Sequence, residues 1–246
     1  MVKSITLPNG KTWTTQKEAL EHFKSLLGRY EDGETVNDLE DHDDLVALLE
    51  RYDQLELGGP EKIGAGVDHF ERRRNRGEGY SSSGFWAIRT NGTETDFSCP
   101  KAVRGVPTPI LAQYYDACRS AIGADLATLK QRQFDHFANT DGLIPCDVSG
   151  TLVGFSGAQL RHAKPYFGEI ASEFRELNCW TLQDLEGLLT ISADAQISTS
   201  FREKEWTQAF RKFHHSKAVL HIVSRNPEHG AFRAKDHTVG NPLRLD

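Results

Sequence analysis

Arg161-His162-Ala163-Lys164-Pro165, read with Phe213-His214-His215 and Val219-Leu220-His221-Ile222-Val223-Ser224-Arg225-Asn226-Pro227-Glu228-His229, decides how the second half of this chain is interpreted. The first stretch places a histidine at the end of a short extended segment. The second places an apolar strand, Val219 to Val223, ahead of a turn that carries Asn, Glu and His. Between them, Tyr166 to Leu177, Leu182 to Leu189 and Lys204 to Lys217 show helical spacing of their apolar residues.

Upstream, Thr108 to Ala138 reads as one long helix or two, with Gly123 as a potential break. Gly142-Leu143-Ile144-Pro145-Cys146 then opens an irregular region. Gly105-Val106-Pro107-Thr108-Pro109 interrupts the pattern and predicts a boundary, giving domains at 1–107 and 108–246. In the first domain Thr15 to Tyr30 and Leu39 to Tyr52 read as amphipathic helices. The acids Asp38, Glu40, Asp41, Asp43 and Asp44 suit the positive end of the second helix, and their spacing does not match a calcium loop. Ile63 to Arg74 reads as a strand and Gly77 to Gly84 as a mobile loop. Phe85 to Thr90 and Thr93 to Ser98 flank Asn91-Gly92, a pair that accepts the positive φ angles of a tight hairpin.

Composition is that of an ordinary globular protein, with 38% hydrophobic and 26% charged residues. No apolar run approaches the roughly 18–20 residues of a membrane span, and Met1 to Gly10 lacks the apolar core of a secretory signal, so a cytoplasmic location is expected. The cysteines Cys99, Cys118, Cys146 and Cys179 form no C-x-x-C pair, so neither structural zinc nor a disulfide framework is expected. The net charge of −6 argues against a strongly basic nucleic-acid binder. Its distribution is uneven, however. Residues 1–60 hold 13 acidic against 6 basic residues, and residues 201–246 hold 9 basic against 5 acidic with five histidines. Such asymmetry is compatible with one face meeting phosphate, or with solvated surfaces alone.

Glu61-Lys62-Ile63-Gly64-Ala65-Gly66-Val67-Asp68-His69, followed by the hairpin Phe85 to Ser98, resembles the DCL-like family, named for the plant "defective chloroplasts and leaves" protein. The resemblance covers roughly residues 5–105, and Cys99-Pro100-Lys101-Ala102-Val103 departs from the family's basic-aromatic continuation. It implies a nucleic-acid context, since the family is linked to plastid ribosomal-RNA processing. The residues permit the same idea independently. Arg72, Arg73, Arg74, Arg76 and Arg89 lie near Phe70, Tyr80 and Trp86, and guanidinium forks suit phosphate while aromatic faces stack bases. The alternative is a sheet whose arginines pair with the acidic helix at 38–44.

Cys146, Ser149-Gly150, His162, Pro165, Phe167, Trp206, Phe213-His214 and Val219 to Ser224 together resemble the HNH (ββα-metal, His-Me finger) endonucleases over about 140–230. That resemblance implies an α+β fold in which a ββα-metal domain, interrupted by a helical insertion between its strands, follows a DCL-like helix-and-hairpin domain. It makes His162 the general base, with Arg161 and His214 beside it. Asn226, Glu228 and His229 become candidate ligands for one Mg²⁺ or Mn²⁺, and Lys164 joins the phosphate-contacting cations. The family's metal-binding Asp is Arg161 here, and the strict register of its Asn falls on Glu228. An arginine beside the base could contact phosphate instead.

The function implied is metal-dependent hydrolysis of DNA, phage or defence related, with the first domain selecting the substrate. A decayed nuclease fold that binds nucleic acid or protein, and an RNA-processing nuclease, are the alternatives. A two-fold dimer would suit double-strand cleavage.

Overall fold

The computed structural model describes residues 4–55, 60–77, 80–190, 199–225 and 243–245. The chain is α+β and divides into two compact units, Met1–Gln113 with Thr190–Thr199, and Tyr114–Leu189 with Ser200–Asp246.

The first unit begins with a short antiparallel pair, β1 (Ile5–Thr6) and β2 (Thr12–Trp13), and two helices, α1 (Gln16–Leu27) and α2 (Leu39–Gln54). Thr15 and Glu18 close a capping box on α1, each satisfying a backbone N–H that the first turn would leave orphaned. Asp38 caps α2 by accepting from the N–H groups of Glu40 and Asp41. Two other acids of that run, Asp41 and Asp44, are buried against partners, while Glu40 and Asp43 are exposed. Asp41 is held by Arg29 and, at 2.8 Å, by the Tyr30 hydroxyl. Asp44 is held by Lys11 at 2.6 Å and His22 at 2.7 Å.

β3 (Val67–Gly77), β4 (Tyr80–Arg89) and β5 (Glu94–Asp96) form an antiparallel sheet in that order. Asn91-Gly92 makes the expected turn, with Gly92 at φ +79° and the Arg89 N–H donating to Thr93 O. The stretch expected as a loop at 77–84 is mostly strand, because the β3–β4 ladder continues to Arg76↔Ser81 and Gly77↔Tyr80. Serines tolerate a pleated ladder, so their turn-like composition misleads there. α3 (Cys99–Arg104) follows, capped by Ser98 and ended by Gly105 in the left-handed region. The core gathers Phe23, Leu26, Leu45, Leu48, Phe70, Phe85 and Phe97 between helices and sheet.

α4 (Ile110–Phe137) runs without interruption through Gly123, which is buried and admits close packing. Its residues from Tyr114 onward belong to the second unit. There β6 (Leu143–Pro145) pairs with β7 (Leu152–Gly154), and β8 (Ala158–His162) pairs with β9 (Leu220–Ser224), both antiparallel. The helices α5 (Phe167–Leu177), α6 (Leu182–Leu188) and α7 (Lys204–Lys217) lie in sequence between β8 and β9. The hairpin β6–β7 was not legible from periodicity, since two three-residue strands contain too few alternations to register.

Two groups of side chains fill this unit. Phe134, Ile144, Cys146, Val153, Ala158, Ile222 and Val223 pack around the strands. An aromatic group packs around the helices, with Phe174 against Phe210 at 5.2 Å and Trp180 edge-on to Trp206 at 4.7 Å between ring centroids. No helix among the described residues is long and apolar enough to cross a membrane.

Candidate active site

Register sets the geometry around His162. β8 and β9 pair Arg161 with His221 and His162 with Leu220, so the two halves of each pair share a face of the ribbon. His162 is the last residue of β8, and the ladder runs one bond further through the Ala163 N–H to Val219 O at 2.8 Å. The chain then turns through Lys164 and Pro165 into α5, whose Phe167 ring lies 5.5 Å from the His162 imidazole.

α7 brings His214 to the same point. The two Nε2 atoms are 2.7 Å apart, with the rings crossed at 77°. His214 is fully buried, its ring lying 6.0 Å from that of Phe210 and 6.5 Å from that of Phe167. Its Nδ1 is buried without a hydrogen-bond partner among the described residues. Burial pushes His162 down to about 4 from the ordinary 6.5. Burial, reinforced by His162 and His215, pushes His214 down to about 3. At neutral pH both rings are therefore uncharged, and one proton lies on the line between their Nε2 atoms.

Only one arrangement leaves His162 able to act as a base. If His162 donates its Nε2–H to His214, the Nδ1 of His162 carries the lone pair. If His214 donates, that Nδ1 carries the proton instead. Which of the two rings donates therefore sets which nitrogen of His162 is basic.

Asp147, not singled out by sequence, closes the other side of the strand pair. Its N–H donates to Ile222 O at 2.8 Å, and its Oδ2 accepts the Ile222 N–H at 2.6 Å. The same oxygen lies 3.7 Å from Nδ1 of the buried His221. Burial raises the Asp147 carboxyl above its usual range, while the Ile222 N–H and His221 oppose that rise. A signal was present in sequence. Asp147 follows Cys146 immediately and precedes the Ser149-Gly150 turn, where Gly150 has φ +70°. Cys146 is buried; burial raises its thiol, but hydrogen bonds from Ser149, Ser224 and Val148 outweigh that and lower it.

The remaining expectations divide. Arg161 and Lys164 are exposed, and the Arg161 side chain has no hydrogen bond or ion pair among the described residues. Asn226, Glu228 and His229 lie outside the described residues, as does the side chain of Arg76. No three His, Cys, Asp or Glu side chains converge among the described residues, so these residues alone do not supply a cation's donor set.

The hairpin arginines have internal partners rather than open forks. Arg72 donates to Leu27 O at 3.0 Å, to Tyr30 O, and to Asp32 at 2.9 Å. Arg73 bridges Glu71 at 2.7 Å and Glu94 at 2.9 Å, and stacks on Trp86 at 5.2 Å. Arg89 is 5% exposed and donates to Lys62 O, Glu61 O and Thr93 Oγ1. Trp86 donates to Asn75 at 2.8 Å. Arg74 is exposed. The partners of Arg72 and Arg73 are Asp32, Glu71 and Glu94, not the acidic helix that sequence offered as the alternative.

Residues 24–103 match a family described as "Protein of unknown function (DUF3223)". The solution NMR structure of an uncharacterized protein from Rhodospirillum rubrum is 32% identical to this chain. It covers 42% of this chain and 89% of its own length, with a TM-score of 0.35. No curated protein matches this chain.

Proposed function

We propose that the chain is a metal-dependent endonuclease that hydrolyses DNA phosphodiester bonds, with His162 as the general base. The observation that carries this reading is the placement of His162. It ends one strand of an antiparallel pair and meets α7 through the 2.7 Å contact with His214. Unprotonated at neutral pH, His162 has the form a base needs. With the proton on its Nε2, its Nδ1 can draw a proton from an attacking water. In this reading His214 holds that tautomer and ring orientation, and the exposed Arg161 contacts a phosphate oxygen.

A bound divalent cation would stabilise charge on the phosphate and the leaving oxygen. The HNH resemblance assigns its ligands to Asn226, Glu228 and His229. In this reading the first unit, with its DCL-like motifs, selects the substrate. A nucleic-acid or protein-binding module on a decayed nuclease fold is the second reading. Two observations favour it: Arg161 stands where the resembled family has an acid, and burial weakens His162 as a base.

Nicking of supercoiled plasmid with Mg²⁺ or Mn²⁺ separates the two. The nuclease reading expects nicking that EDTA abolishes and that His162→Ala reduces by a factor of about 10² or more. Folded protein that leaves plain and modified DNA intact with either metal would favour the binding module.

A further inference from the structure

One face of α4 and one face of α7 line a cleft of about 760 Å³ within the second unit. Asp125, Thr128, Leu129 and Arg132 recur at helical spacing on α4, and Gln208, Arg211, Lys212 and His215 do so on α7. Arg244 and Leu245, from the C-terminal segment, complete the lining. Asp125 is the acid among these residues, and its carboxylate is already engaged. Arg211 grips it with two nitrogens, and His215 Nε2 lies 3.1 Å away. Arg132, Lys212 and Arg244 are exposed and have no carboxylate partner among the described residues.

We infer that this cleft binds the phosphodiester backbone of the nucleic acid on which the proposed nuclease acts; the inference rests on that reading. Three cations with no carboxylate partner among the described residues, drawn from three separate segments, edge one groove in a chain whose net charge is −6. A local positive field of this kind survives an overall negative charge because groove walls focus it. The hairpin arginines Arg72, Arg73 and Arg89 are occupied internally, whereas these three are exposed and unpaired among the described residues. Among the described lining residues the only ring is His215, which lies against Asp125, and the remaining polar groups suit phosphate contact without sequence preference. α7 thus carries His214 toward His162 on one side and Arg211, Lys212 and His215 toward the cleft on another.

The test uses the full chain in EDTA with a fluorescent DNA duplex, read by anisotropy across a salt series. The triple variant Arg132→Gln, Lys212→Gln, Arg244→Gln is expected to bind at least tenfold more weakly. Its salt slope should be shallower by about 3, close to one for each lost phosphate contact. Gln208→Glu, which puts a negative charge on the exposed rim, is a second variant and should weaken binding severalfold. Wild-type affinity and slope in both variants, or no duplex binding by the wild type, overturns the inference. So does retained duplex binding with lost binding of polyglutamate, which would give the cleft to an acidic protein. The nuclease reading fails separately: absent plasmid nicking with the binding losses intact would sink that reading and leave the cleft in place.

Discussion

Acid should destabilise this protein more steeply than its carboxylates alone would allow, because two imidazoles are held neutral inside it. In the unfolded chain His162 and His214 each take up a proton near pH 6.5. In the folded chain they resist until about 4 and about 3. The unfolded state therefore binds more protons below 6.5, and stability falls with pH through that window. Each unit of displacement is worth about 1.4 kcal/mol. Between pH 6.5 and 4.5, allowing for half-titration at the upper end, each histidine removes about 2 kcal/mol, and the pair about 4. That is a large share of the roughly 5–15 kcal/mol that holds a domain folded. His214→Phe isolates the effect, since position 214 is fully buried and the ring neighbours Phe167 and Phe210 accept a ring of similar size. Calorimetric melting at pH 6.5, 5.5 and 4.5 should show the variant losing about 2 kcal/mol less than the wild type. The relative gain in melting temperature would be roughly 4–8 °C at the acid end. Carboxylate titration is common to both chains and cancels. Melting temperatures that fall in parallel would refute the claim that His214 is held neutral by burial.

Substitutions at Arg89, Gly64 and Gly92 probe the first unit. Arg89→Ala removes donors to Lys62 O, Glu61 O and Thr93, and should cost about 2–4 kcal/mol in urea denaturation. Arg89→Lys should recover little of this, because an ammonium cannot reproduce the fork. At Gly64, φ is +50° and an added Cβ would meet Arg89 Nε at 2.9 Å, whereas at Gly92 a Cβ meets open space. Both alanine variants incur the left-handed penalty of about 1–3 kcal/mol. Gly64→Ala should be the worse of the two in the same assay; equal costs would mean that Arg89 moves aside freely.

The helices α1, α2, α5 and α7 and the Asn91-Gly92 hairpin were legible because each rests on a local rule: a cap, a stripe or a turn residue. What stayed hidden depends on pairing between distant segments. Glu71, two residues from Arg73 on the same strand face, was within reach of sequence spacing, but Asp32, Glu94 and the carbonyls of Leu27, Tyr30 and Lys62, which complete the fate of the hairpin arginines, were not. Asp147 stands beside a legible turn, but its partner, the Ile222 N–H, lies 75 residues away and became visible only in the fold. The cleft between α4 and α7 needed both helix faces in place. Thr128, Arg132, Gln208, Arg211 and Lys212 are ordinary exposed polar positions when either helix is read alone.

The contact between His162 and His214 poses a choice with observable consequences. Whichever ring donates, Nδ1 of His214 stays buried without a partner among the described residues, as a bare N–H or a bare lone pair. A buried unpaired polar atom costs about 1–3 kcal/mol, and a phenylalanine at that position would not incur it. If His214 only fills space, His214→Phe gains stability and leaves the chemistry of His162 untouched. If it sets the tautomer of His162, the same variant gains stability and loses the proton-transfer step. Nδ1 of His162 then spends more of its time protonated, and plasmid nicking falls while duplex binding stays. Stability sacrificed at a single buried atom, with activity tied to that atom, is the signature that separates a positioning residue from a core residue.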